Sequence, residues 1–184
     1  MSWSEALEEA YASAPADEFT ISTLELIHAA FVDGDGFPDS IRVALDERSW
    51  NLQLEAGAPL KAGQTVTFDP LAVEVQLPEQ DDARLGEMQL SLDGVPRAYI
   101  DQIDSAVGVR SSALLIYREW IATHDPLTGA YSVSGPPDYV LGSMTVKLIE
   151  VDKLRISATA TFMDLLNRAF PRRKFTREDF SGLF

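Results

Sequence analysis

Two histidines, three aspartates around a glycine-rich turn, an adjacent acidic pair and a basic, aromatic terminal segment could do chemistry in this 184-residue chain. A His-Asp neighbour pair, His124-Asp125, is not a triad, which needs a nucleophile brought in by the fold. His28 follows an apolar strand and is read as structural, and His124 as an exposed loop residue ahead of Pro126. Asp33, Asp35 and Gly36 imitate the start of a calcium loop, with Asp39 as a further oxygen donor for a weak ion. The imitation fails at the fifth position, Phe37, and at the twelfth, Ala44, where a bidentate carboxylate belongs. Asp81 and Asp82 could in principle serve a glycosidase, but adjacent acids arise by chance among 29 acidic residues. The chain has no Gly-x-Ser-x-Gly elbow and neither glycine-rich phosphate loop. With no cysteine, thiol catalysis, disulfides and thiolate metal sites are excluded. The reading is therefore no enzyme, with no catalytic, cofactor-binding or metal-binding residue.

The remaining candidate does its chemistry without covalent bonds. Phe170 to Phe184 read FPRRKFTREDFSGLF. Arg172, Arg173, Lys174 and Arg177 stand against Glu178 and Asp179, a net of +2. The other 169 residues hold 11 basic and 27 acidic side chains, a net of −16. Phe170, Phe175, Phe180, Leu183 and Phe184 are interleaved with the cations. Five large apolar groups on a terminal segment call for burial, on the chain's own body or on a neighbouring subunit. These nine residues are the expected subunit-docking set.

The elements that must position such an arm read as mostly β. Residues 1–15 are expected to form an N-terminal helix, 16–169 one β-sandwich or barrel domain, and 170–184 the docking arm. Phe19 and Ile21, then Leu24 and Leu26, alternate with a phase slip that suggests a bulge. Further strands are expected around Ile41–Leu45, Trp50–Leu54, Val66–Phe68, Leu71–Leu77 and Met88–Leu92. Pro70 marks a bend or an edge. Pro96 to Val107 has helical spacing, with Tyr99, Ile100, Ile103 and Val107 on one face. Ser112–Thr123 lacks alternation and reads as a strand buried on both faces, while Val140–Thr161 reads as a hairpin turning at Asp152-Lys153. The start lacks a basic-then-apolar leader and no apolar run approaches a bilayer span. The expectation is a soluble chain made in a cytoplasm, without membrane insertion. A net charge of −14 argues against a general or sequence-specific nucleic-acid binder.

The ending FPRRKFTREDFSGLF resembles that of a family of bacteriophage minor tail proteins, the domain-of-unknown-function family eighteen thirty-three. IRVALDERSW (Ile41 to Trp50), FDPLAVEVQLPEQ (Phe68 to Gln80) and MQLSLDGVPRAYIDQI (Met88 to Ile103) resemble its internal motifs in the same order. Ser181 stands where that pattern has Pro, and Leu127 to Tyr139 has no counterpart. The resemblance implies a structural virion protein of the tail tip or baseplate hub in a long-tailed phage, at the distal end of the tail tube. It implies a tail-tube-like β-sandwich or barrel with one flanking helix, assembled as a cyclic oligomer, trimeric in preference to hexameric. The implied neighbours are a distal tail protein, a central hub or fibre protein and the tape measure. A six-fold distal tail ring protein and a carbohydrate-binding β-sandwich are the alternatives.

Overall fold

The computed structural model describes residues 17–77, 87–106, 108–109, 111–152 and 155–162. The expected N-terminal helix, the loop around Asp81-Asp82 and the docking arm lie outside the described residues. Within them the chain runs through β1 (Glu18–Val32), β2 (Pro38–Ala44), β3 (Trp50–Gln53), β4 (Thr65–Pro70) and β5 (Ala72–Gln76). It continues with β6 (Glu87–Asp93), α1 (Arg97–Ala106), β7 (Leu114–His124), β8 (Tyr131–Val133), β9 (Tyr139–Asp152) and β10 (Arg155–Thr161). The fold is mainly β with one packed helix.

All ten strands join one mixed sheet in the order β3-β4-β2-β1-β7-β9-β10-β6-β5, with β8 beside β7. The pairing of β2 with β4, Val43 opposite Asp69 and Ala44 opposite Pro70, is parallel. β2 and β6 stand five places apart in that order, which in a flat sheet is roughly 24 Å. Yet Ile41 and Val43 of β2 share one buried cluster with Leu90 of β6, Leu24 of β1, Leu115 of β7 and Ile156 of β10. The sheet therefore curls around a common interior. Its two sides meet through a single residue: Pro70 ends β4 beside Ala44, Ala72 opens β5 beside Asp93, and Leu71 between them donates its amide to the Ala44 carbonyl at 3.0 Å. The sheet is nevertheless open, with β3 and β5 at its ends.

Helix α1 covers the interior. Gly94, at φ 69°, makes the turn out of β6 that L side chains resist, and the Pro96 carbonyl accepts the Tyr99 amide at 3.0 Å in the first turn. Ile103 is the helix's buried anchor, with Tyr99, Ile100 and Ala106 half-buried against the same core. Arg97 and Asp101 form an exposed ion pair at 3.5 Å on the wet face.

A second core lies on the opposite face of β1, β2 and β7. There β3, β4 and the following Leu54–Ala58 segment cover the sheet, and Ile21, Ala44, Trp50, Leu52, Phe68 and Trp120 pack together. This explains the phase slip in β1 differently from a bulge. Ile21 faces the outer core and Leu24 the inner one. The pairing of β1 with β7 runs unbroken from Glu18 to Ile27, and the irregularity in β1 comes later, between Ile27 and Val32 against β2. β7 is buried on both faces, as its unbroken apolar run predicts. The three-residue β8 was not foreseen; it is too short to show a period, and it extends the sheet beside Ala122–His124.

An apolar cavity of about 50 Å³ remains under α1, lined by Leu24, Val43, Leu90, Tyr99, Ile103 and Leu115 among others. Ile103→Ala enlarges it and removes the helix's anchor, so a loss of about 2–4 kcal/mol is expected in urea unfolding. A loss below about 1 kcal/mol would show that α1 is a loosely held cover.

Candidate functional site

The nine residues expected to dock subunits, Phe170, Arg172, Arg173, Lys174, Phe175, Arg177, Phe180, Leu183 and Phe184, lie outside the described residues. The internal candidates are placed. His28 lies within β1 rather than after it and is buried. Its Nδ1 accepts the Ala30 amide at 3.1 Å, which leaves Nε2 to donate to the Ser111 carbonyl at 3.2 Å. Both ring nitrogens are thus used structurally. His124 ends β7 and stacks on Tyr131 at 4.6 Å between centroids, so it is half-buried and not an exposed loop residue. Asp33 Oδ1 accepts the amides of Asp35 at 3.0 Å and Phe37 at 2.9 Å, an aspartate turn. Asp39 is turned away to Arg42 at 2.6 Å and Lys61 at 2.9 Å. Asp33 and Asp39 thus have separate tasks.

The most organised polar feature is a buried chain of charges between the sheet and its outer layer. Arg118 and Glu25 have fully buried side chains, joined Nη1 to Oε2 at 2.7 Å. Arg118 also grips Glu55 with two parallel bonds, Nε to Oε2 at 2.8 Å and Nη2 to Oε1 at 2.9 Å. The other oxygen of Glu25 accepts Ser40 Oγ at 2.5 Å and Arg42 Nε at 3.3 Å. Arg42 reaches Asp39, and Asp39 reaches Lys61. Acid and base thus alternate from Glu55 to Lys61, three of each. Burial works against the Asp39 charge, but the hydrogen bonds from Lys61 and Arg42 outweigh it and hold its carboxyl below the usual range. Sequence reading missed this chain. Its one visible signal is Arg118-Glu119 inside the apolar run of β7, which strand geometry must send to opposite faces.

Glu119 therefore faces inward. It is 3% exposed, accepts a hydrogen bond from the Tyr117 hydroxyl, and its Oε2 has no hydrogen-bond partner among the described residues. Burial raises its carboxyl above the ordinary glutamate range, against the hydrogen bond from Tyr117. The same surroundings, burial first and the nearby Glu119 charge second, push the Tyr139 hydroxyl up. A lone raised carboxyl could act as an acid, but Glu119 lines neither the interior cavity nor the outer groove described below.

At the β8 edge Phe19, Trp50 and Tyr131 form an aromatic cluster. Tyr131 meets Phe19 at 85° and Trp50 at 89°. The Arg48 guanidinium sits 4.1 Å from the Tyr131 centroid. Perpendicular rings with one face already covered do not make the coplanar platform on which a sugar stacks.

The sheet also leaves places for another chain. β3 and β5 are its end strands, and among the described strands β5 bonds only to β6. Beside β5 an open groove separates Leu45–Glu47 from the β4–β5 junction. Leu45, Leu71 and Val73 form its apolar floor, with Asp46 and Glu47 on its rim. Asp46 is engaged by the Glu47 amide at 2.6 Å and by Trp50 Nε1 at 2.7 Å. Glu47 is exposed.

Among the described residues no helix is long and apolar enough to cross a membrane. The model of one protein family, described as a domain of unknown function (DUF1833), matches residues 6–175. No curated protein matches the chain.

Two predictions concern the buried charges. Arg118→Met removes the closest cation from the buried Glu25 carboxylate, leaving it Ser40 and Arg42, and should cost about 3–5 kcal/mol. Adding Glu25→Met should recover part of that loss, so a double-mutant cycle by urea unfolding reads the coupling directly. Glu119→Gln addresses pH. With its pKa raised in the fold, Glu119 keeps its proton where the unfolded chain has lost one, so stability falls as pH rises from the ordinary glutamate range to the raised value. The Gln variant should be more stable at neutral pH and lack this decline; an unchanged stability–pH profile would refute the raised carboxyl.

Proposed function

We propose, because the chain belongs to the DUF1833 family, that it is a structural virion protein of a long-tailed bacteriophage or prophage. It is part of the tail tip or baseplate hub near the distal end of the tail tube, and it acts by oligomeric assembly, not catalysis. The family's description carries no function, so the reading rests on the resemblance of the motifs to phage minor tail proteins and on one structural observation. That observation is the curled mixed sheet with a single helix over its interior and end strands left open. A mainly β fold with a packed helix agrees with the resemblance, and strand edges that no described strand covers are a common means of joining subunits.

In this reading the chain forms a cyclic oligomer, trimeric in preference to hexameric. Its neighbours are the distal tail protein, the central hub or fibre protein and the tape measure. A closed ring needs a heterologous contact, one surface of each copy meeting a different surface of the next. The charge contrast between the acidic body and the basic terminal segment supplies two such surfaces.

Light scattering on the purified full chain tests the reading. A mass three times that of the chain is expected, with rings in negative stain and antibody labelling at the tip of the phage tail. A monomer at every soluble concentration, together with particles labelled elsewhere than the tail, would overturn it.

A further inference from the structure

We infer that the groove between Leu45–Glu47 and the β4–β5 junction, with the open edge of β5, receives the segment Phe170–Phe184 of a second copy of this chain. This rests on the assembly reading and names the surface that the assembly uses. Three features match. The groove's floor is apolar, from Leu45, Leu71 and Val73, and the segment carries Phe170, Phe175, Phe180, Leu183 and Phe184. The exposed carboxylate of Glu47 on the rim, with Glu74 exposed on β5, faces a segment that carries Arg172, Arg173, Lys174 and Arg177. The outer edge of β5 offers main-chain groups that no described strand takes, with Val73 and Val75 half-buried along it.

The choice of a second copy rests on the assembly reading, in which one surface of each copy meets a different surface of the next. β10 ends at Thr161, opposite Glu87 at the start of β6. The groove lies at the other end of β6, where Asp93 pairs with Ala72. The seven residues of β6 separate the two places by roughly 20 Å. The eight residues 162–169 could span that distance at roughly 3.3 Å each, so the chain's own groove is within reach and is the outcome the test must exclude. A neighbour's segment approaches from outside. Segment into groove, repeated around a closed rotation, is a heterologous contact that generates a ring.

The absence of cysteine makes the test clean. Full-length Ala72→Cys chains carrying one tag are mixed with full-length Thr176→Cys chains carrying another, and treated with a short bifunctional thiol reagent that tolerates imperfect sulfur geometry. Ala72 is exposed, so the change should not disturb the fold, which circular dichroism checks. A covalent dimer bearing both tags is expected. Adding Glu47→Lys should remove most of it, and Arg177→Glu on the other chain should restore it. High salt should weaken it, as for exposed charges. If the double variant Ala72→Cys/Thr176→Cys links only within one chain, the segment docks on its own body and the inference is wrong. If no link forms in either format, the groove is not the receptor. The uncrosslinked mass separates the two proposals: an oligomer without the link keeps the assembly reading and discards the groove, whereas a monomer discards both.

Discussion

Arg118 and Glu25, fully buried and 2.7 Å apart, tie together three pieces of chain. Arg118 belongs to β7, Glu25 to β1, and the fork of Arg118 on Glu55 fastens the outer layer across them. Through Ser40 and Arg42 the same carboxylate reaches β2. An apolar pair of equal volume would stabilise the sheet about as well, since desolvation offsets much of the Coulomb gain. What the charges add is intolerance of error. A one-residue slip of β1 against β7 would leave a buried charge without its partner and turn every side chain to the wrong face.

That constraint explains how one sheet supports two cores. Ile21 and Trp120 on the outer face, and Leu24, Leu115 and Tyr117 on the inner face, belong to the same two strands. The adjacent residues Arg118 and Glu119 show the two ways of burying a charge. Arg118, facing out, is neutralised by two carboxylates. Glu119, facing in, has a tyrosine hydroxyl and, among the described residues, no cation, and burial pushes it toward its protonated form.

Much of this was legible in the residues, and the gaps have physical causes. Single-faced strands such as β6 alternate cleanly because only one side is buried, and α1 shows because Ile103 and its neighbours keep helical spacing. β7 was read as doubly buried from its lack of alternation, and that reading already implied that Arg118 and Glu119 needed partners. β1 was misread because two cores claim its two faces, which imitates a bulge in a single-core period. The partners Glu55 and Arg42, and the groove, were not legible. They join positions far apart in sequence, such as Glu47 and Val73, that meet only once the sheet curls.

The bookkeeping of charge bears on where the proposed association would occur. The buried chain from Glu55 to Lys61 holds three acids and three bases, so it takes no share of the excess of acid over base. Outside the terminal segment, that excess of −16 belongs to the rest of the chain. Copies of such a body repel one another at close range, and salt alone screens this poorly where surfaces touch. A ring of these copies therefore needs concentrated positive charge at the contact. Nowhere else in the sequence are four cations gathered within six residues as they are from Arg172 to Arg177, and there they come with apolar groups to bury. Electrostatics that would keep bare bodies apart thus favours a contact between one copy's acidic rim and another's basic segment.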